Sequence, residues 1–167
     1  GDAVWVSFQR VLIGMLIGVP IGLLLAVFSG LSRVGDDLVD STMHTLRFVP
    51  IIGLMPLIIV WFGIGETAKI SLIVIGVTFP IYVNTSNAIK TIDPRNLELA
   101  RTLGLSRWAT IRRVVLPAAL PSFLVGLRMA TGIAWLLLVF SEQLNAKSGI
   151  GYLMIKAQTF FLTDVIV

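Results

Sequence analysis

Eighteen consecutive residues, Val11 to Phe28 (VLIGMLIGVPIGLLLAVF), carry no charge. As a helix rising ~1.5 Å per residue the run is ~27 Å long, close to the apolar thickness of a bilayer. Several such runs in one chain leave few folds open, because in lipid every backbone N–H and C=O must be satisfied within the protein. Two more runs fit the pattern, from about Ile70 to Ile89 and from about Pro121 to Phe140. A fourth, from about Phe48 to Phe62, is interrupted by Pro50 and Pro56 and closed by the interfacial pair Trp61 and Phe62. Only 13% of the 167 residues are charged, against about 25% in a soluble domain. The sequence therefore predicts an all-α, polytopic transmembrane helical bundle, with four clear spans in a single membrane domain over 1–167.

The same composition excludes several classes. The pI near 10 suggests nucleic acid, but the arginines cluster between apolar runs, as cytoplasmic loops of membrane proteins do. There is no cysteine and one histidine, His44, so a thiolate site, a histidine-rich metal cluster and a disulfide framework are excluded. His44 reads as a solvated loop residue in the polar connection from Ser29 to Arg47. No H-E-x-x-H or G-x-S-x-G occurs, and no catalytic residue is assigned. No G-x-x-x-x-G-K-[ST] occurs either, so the chain is not expected to hydrolyse ATP. No signal peptide is visible. The closing TDVIV resembles the start of another apolar run, which suggests a trimmed chain with spans missing at both ends.

Small residues recur every four positions in two spans: Gly14, Gly18 and Gly22 in the first, and Gly126, Ala130 and Ala134 in the last. Each stripe offers a flat face for close helix contact: the first reads as tight packing or as a moving interface, the last as contact within one subunit or across a dimer axis. Pro20 is expected to bend the first span, and Pro50, Pro56, Pro80 and Pro121 to mark kinks or hinges. Eight basic residues (Arg33, Arg47, Lys90, Arg95, Arg101, Arg107, Arg112, Arg113) fall on one side of the membrane and four (Arg10, Lys69, Lys147, Lys156) on the other. The richer side is assigned to the cytoplasm, with both visible ends outside.

Between the last two spans lies a basic island, ELARTLGLSRWATIRRVVLP, Glu98 to Pro117. Asp93 can cap a helix that opens with Pro94. Gly104 permits the left-handed residue that ends it. Ser106 can cap a second helix that Pro117 is expected to break. The expected shape over 91–117 is helix, sharp glycine corner, helix, presented to the cytoplasm as a compact knob.

The spacing of the island resembles the EAA loop of bacterial ATP-binding-cassette importer permeases, which reads E-A-A, three residues, G, nine residues, I-x-L-P. Here Glu98-Leu99-Ala100 is followed after three residues by Gly104, and after nine by Val114-Val115-Leu116-Pro117; Leu99 and Val114 depart from the signature and keep apolar character. RFVPIIGLMPLIIVWFGIGETAKI and LPAALPSFLVGLRMATGIAWLLLVFSEQLNAKSGIGYL extend the resemblance toward the sulfonate, taurine and nitrate branch. The resemblance implies a MetI-like permease fold, with about five to six spans in the full chain, in the bacterial cytoplasmic (inner) membrane. It implies a second permease subunit, usually as a homodimer, a cytoplasmic ATPase dimer that binds the ATP and Mg, and an extracytoplasmic solute-binding protein. It makes Glu98, Ala100, Gly104, Leu116 and Pro117 the ATPase-coupling residues, and a small sulfonate-like anion the substrate. No cofactor, metal or nucleic acid is expected on this chain itself.

Four residues of the last span are candidates for the substrate pathway: Arg128, Trp135, Ser141 and Glu142. Arg128 is the clear charge inside a span, where charges are costly and face a partner or a wet cavity. It reads either as an attractant for an anion or as a side chain snorkelling toward water. Ser141 and Glu142 read as an outer gate or polar rim, or as interfacial solvation. SGIGYL, Ser148 to Leu153, reads as a turn and helix start near the binding protein. The competing class, an ion-coupled secondary transporter or channel, needs carboxylates near mid-membrane; the acids here lie in loops or at span ends.

Overall fold

The computed structural model describes residues 2–46, 49–145 and 149–160, and within these every regular element is helical. Helix α1 (Asp2–Leu31) is followed by α2 (Arg33–Gly35), a π-turn (Asp36–Asp40) and α3 (Ser41–Leu46). A 3-10 turn (Ile51–Leu54) leads into α4 (Met55–Phe62), then α5 (Glu66–Lys90) and α6 (Pro94–Thr102). Helix α7 (Arg107–Thr110), a second π-turn (Ile111–Val115), α8 (Leu116–Asn145) and α9 (Ile150–Thr159) complete the order. Arg47, Phe48, Lys147, Ser148 and the closing TDVIV, on which parts of the sequence reading fall, lie outside the described residues.

Three helical segments are long and apolar enough to cross a membrane: Asp2–Leu31, Glu66–Lys90 and Arg107–Gln143. The fourth expected span differs. Its apolar helix covers only Ile51–Phe62, and four 3-10 residues at ~2.0 Å plus eight α residues at ~1.5 Å reach about 20 Å. The chain passes from Asp40, beside the end of α5, to Glu66, at its start, through an interrupted path of α3, the break at Pro50, the 3-10 turn and α4. Pro50, Gly53 and Pro56 account for the interruption: each proline lacks a donor, and Gly53 N–H closes on Pro50 O at 2.8 Å. The connection read as a polar loop is itself largely helical, with His44 within α3.

Helix α5 is the centre of the bundle, with α1 on one side and α8 on the other. Both small-residue stripes face it. A Cβ on Gly14, Gly18 or Gly22 would meet Ile73, Val74, Val77, Thr78 or Ile81 of α5, and one on Gly126 would meet Pro80 O and Asn84. Ala130 and Ala134 are fully buried in the same core as Leu72, Ile73, Val77, Ile81 and Leu138. The contact left open by the sequence is thus made within one chain. Helix α1 runs through Pro20 unbroken. Large apolar side chains remain on its outer face, among them Leu16, Leu24 and Phe28, as suits a helix facing lipid or another span.

Pro117 does not end a helix. The stretch from α7 to α8 is helical throughout, and the π-turn just before Pro117 explains why: Leu116 N–H bonds to Ile111 O, five residues back. That extra residue shifts the ladder where the proline ring and missing donor arrive.

Candidate functional site

The island between α5 and α8 folds into the expected knob, and its caps show why. Asp93 Oδ1 accepts from Arg95 N–H at 2.9 Å and opens α6. At the far end Gly104 has φ +67°, Gly104 N–H bonds to Arg101 O at 2.9 Å and Leu105 N–H to Ala100 O at 3.0 Å. This double closure is a Schellman motif, which needs a residue free to adopt positive φ. Ser106 Oγ then accepts from Ala109 N–H at 3.3 Å and opens α7. Asp93, Gly104 and Ser106 therefore hold the corner as the sequence reading had it.

Within the knob the five residues read against the EAA signature have different surroundings. Ala100 is buried, and its carbonyl is the one closed by Leu105. Glu98 is exposed, as are Leu99, Leu103 and Trp108. The space above Gly104 is open: an added Cβ would meet nothing within 4 Å. Leu116 and Pro117 lie where the knob returns to the bundle, next to Val115 and Ala119, which pack with Ile89 and Leu97. The knob is thus rooted by a small apolar cluster and presents one acid, a bare glycine corner and large apolar side chains outward.

The four pathway candidates do not converge. Arg128 and Gly132 lie on the exposed face of α8, opposite the stripe that packs on α5. Trp135 is half-buried and packs on the main core. Ser141 is fully buried, with its Oγ donating to Leu138 O at 2.8 Å. Glu142 is fully buried too, so neither residue is solvated at a polar rim.

Glu142 is the hub of a network no local pattern announces. It accepts from Ser7 Oγ at 2.7 Å, Arg10 Nη1 at 2.6 Å and Gly151 N–H at 2.9 Å. Arg10 also binds Glu66 through Nε at 2.5 Å and Nη2 at 2.7 Å, and Lys69 Nζ lies 2.9 Å from Glu66 Oε1. Two acids and two bases thus join α1, α5 and α8 at the end remote from the knob. Ser7 Oγ accepts from Ile150 N–H at 3.1 Å, so the first two donors of α9 are held by Ser7 and Glu142. Gly149 and Gly151, read as turn residues, are required here: a Cβ on either would strike Glu142.

Among the described residues no group of histidine, cysteine or acidic side chains could hold a metal ion. Two long helices packed on a third, with a doubly capped helix–turn–helix at one end and a neutral ionic clasp at the other, define a helical membrane protein. The chain belongs to the family of binding-protein-dependent transport system inner membrane components, which it matches over residues 18–167. The resemblance read from the island is borne out at that level.

Relatives with described roles agree. A putative aliphatic sulfonates transport permease of Escherichia coli K12 is 49% identical over 162 residues, 97% of this chain and 62% of that protein. A nitrate import permease of Synechococcus elongatus is 35% identical over 152 residues, 91% of this chain and 54% of that protein. The taurine transport system permease of E. coli K12 is 34% identical over 160 residues, 96% of this chain and 58% of that protein. The chain thus spans 62% or less of the length of each of these relatives. An inward-facing structure of the MetNI methionine ABC transporter matches with a TM-score of 0.65 at 23% identity, covering 92% of this chain and 75% of that one. It shows the fold.

Proposed function

We propose that this chain forms the greater part of a permease subunit in an ATP-driven importer, with its knob docked on a cytoplasmic ATPase. The observation that carries the reading is the Schellman corner at Gly104: the spacing of the EAA signature coincides with a rigid, doubly capped knob whose glycine is bare. An ATPase groove can approach the backbone there, with Glu98 offered to a basic residue across the contact. ATP and its metal are held by that ATPase, and the permease itself catalyses no reaction.

A second permease subunit completes the path, and an extracytoplasmic binding protein delivers the solute. The open face of α8, with Arg128 and Gly132, is the face offered to that path. Arg128 favours an anion, and the higher identity to the sulfonate permease than to the taurine and nitrate permeases supports a small aliphatic sulfonate. Transport proceeds by alternating access: nucleotide draws the ATPases together, the knobs move, and the cavity opens to the other side. An ion-coupled mechanism is less well supported, since Glu142, the one fully buried acid among the described residues, is already occupied by Arg10, Ser7 and a backbone donor.

The test is Glu98→Lys and Gly104→Asp in the full-length permease, reconstituted with its ATPase and binding protein. Both variants should insert normally, hydrolyse ATP at a rate no longer raised by the loaded binding protein, and import at least tenfold less labelled ethanesulfonate. Normal uptake by both variants would remove the coupling role from the knob.

A further inference from the structure

The knob is fastened at its root to a second cytoplasmic element. Lys90 is the last residue of α5, three before the Asp93 cap that opens the knob. Its Nζ lies 2.5 Å from Asp36 Oδ1 and 3.0 Å from Asp40 Oδ1. Lys90 is the group that holds Asp36 Oδ1, which has no other hydrogen-bond partner. The Tyr82 hydroxyl donates to Asp40 Oδ1 at 2.8 Å and lies 3.0 Å from Ser29 Oγ. Two carboxylates of the π-turn therefore meet the lysine at the knob's base, and Tyr82 of α5, beside Ser29 of α1, braces one of them.

Helix α5 does not need this cluster to stay in place, because α1 and α8 grip its apolar length on both sides. The arm over residues 33–46 does. Of its described residues only Gly35, which has no side chain, is buried, while Val34, Leu38 and Leu46 are exposed. Little apolar surface fixes the arm, and an element with few buried apolar contacts moves at low cost. The arm runs directly into the interrupted crossing. Met43 and Leu46 of α3 face Ile51 and Leu54 of the 3-10 turn across an apolar cavity of about 290 Å³ backed by α1 and α5. That empty volume is room for the arm and the crossing to shift together.

We propose that Asp36, Asp40 and Tyr82 are positioning residues that couple the knob to the 33–46 arm through Lys90, so that nucleotide-driven movement of the knob is passed to the interrupted crossing. The inference rests on the coupling reading above and adds a route that the knob signature does not contain. Lys90 carries the link because it ends α5 three residues before the cap that opens the knob. The carboxylates carry it because they belong to the arm.

The experiment uses the full-length permease with its ATPase and binding protein in nanodiscs, with spin labels at Leu103 on the knob and at Leu38 on the arm. Each is measured against a label at Leu16 on the outer face of α1. In otherwise native protein a non-hydrolysable ATP analogue should shift both distances. Lys90→Asp should keep the shift at 103 and abolish the shift at 38, and Lys90→Asp with Asp40→Lys should restore it. Tyr82→Phe, a milder change, should reduce the shift at 38 by about half, and carries the test if Lys90→Asp fails to insert. An arm shift in Lys90→Asp or Tyr82→Phe equal to that of the native residue overturns the proposal, as does no arm shift in the native protein. Loss of the shift at 103 in Glu98→Lys keeps the coupling reading standing whatever Lys90 does. A native-like shift at 103 in Glu98→Lys together with native uptake removes that reading and this one with it.

Discussion

Glu142 and Arg10 stand 132 positions apart and meet at 2.6 Å, one fully buried and the other nearly so. Taking either charge out of water costs several kcal/mol, and only the paired, hydrogen-bonded arrangement offsets it. Arg10 answers two acids, and Lys69 brings the four-group cluster to neutrality. Arg10→Met would strand Glu142 as a buried charge with only Ser7 and Gly151 as donors. The expected loss is about 3–5 kcal/mol, read as a lowered unfolding temperature of the detergent-solubilised protein. Arg10→Met with Glu142→Leu removes both charges and should recover more than half of that loss. A single variant as stable as the parent would show that the clasp contributes nothing. Sequence reading placed Glu142 at the correct end of its helix and missed this role. Its partners lie on α1 and α9, and no local periodicity encodes a contact across such separations. The two glycines of SGIGYL were the available signal, since bare backbone beside a buried acid is how a carboxylate reaches helix N–H groups.

Helices were the more legible scale because their causes are local. The fourfold spacing of Gly14, Gly18 and Gly22 predicted a contact face, and α5 lies on it. Asp93, Gly104 and Ser106 predicted caps, and each caps. Pro117 misled, because a π-turn one residue earlier absorbs the proline, and such turns leave no mark in composition. The second span was read too long, since Pro50 and Gly53 break it into a 3-10 turn and a two-turn helix. One substitution made at two glycines separates packing from path. Gly18→Leu would drive a side chain into Val74 O and Val77, whereas the space beside Gly132 is empty. Gly18→Leu should sharply reduce the monodisperse fraction on gel filtration. Gly132→Leu and Arg128→Gln should purify like the parent yet import ethanesulfonate at least fivefold more slowly. Parental uptake by both would take the open face of α8 out of the pathway.

Across the whole molecule, the two ends of the bundle differ in kind. One end is a closed, neutral clasp that caps α9. The other carries the knob, the arm and most of the free basic side chains, with Arg95, Arg101, Arg107, Arg112 and Arg113 all exposed. Positive charge retained on one side of a membrane protein sets which side faces the cytoplasm. Of the three long helices, α1 and α5 run parallel and α8 runs back, so with the basic end assigned to the cytoplasm α1 would enter from outside. Leu103, at the knob's corner, and Thr67, at the start of α5, must therefore lie on opposite faces of the membrane. The chain has no cysteine, so a single one at either position is the only target for a membrane-impermeant maleimide within these 167 residues. Both positions are exposed and neither touches the clasp or the Lys90 cluster. In intact spheroplasts Thr67→Cys should label and Leu103→Cys should not, and in inside-out vesicles the order should reverse. Labelling of Leu103→Cys from outside would place the knob beyond reach of any cytoplasmic ATPase, and coupling through Glu98 and Gly104 would then be physically impossible.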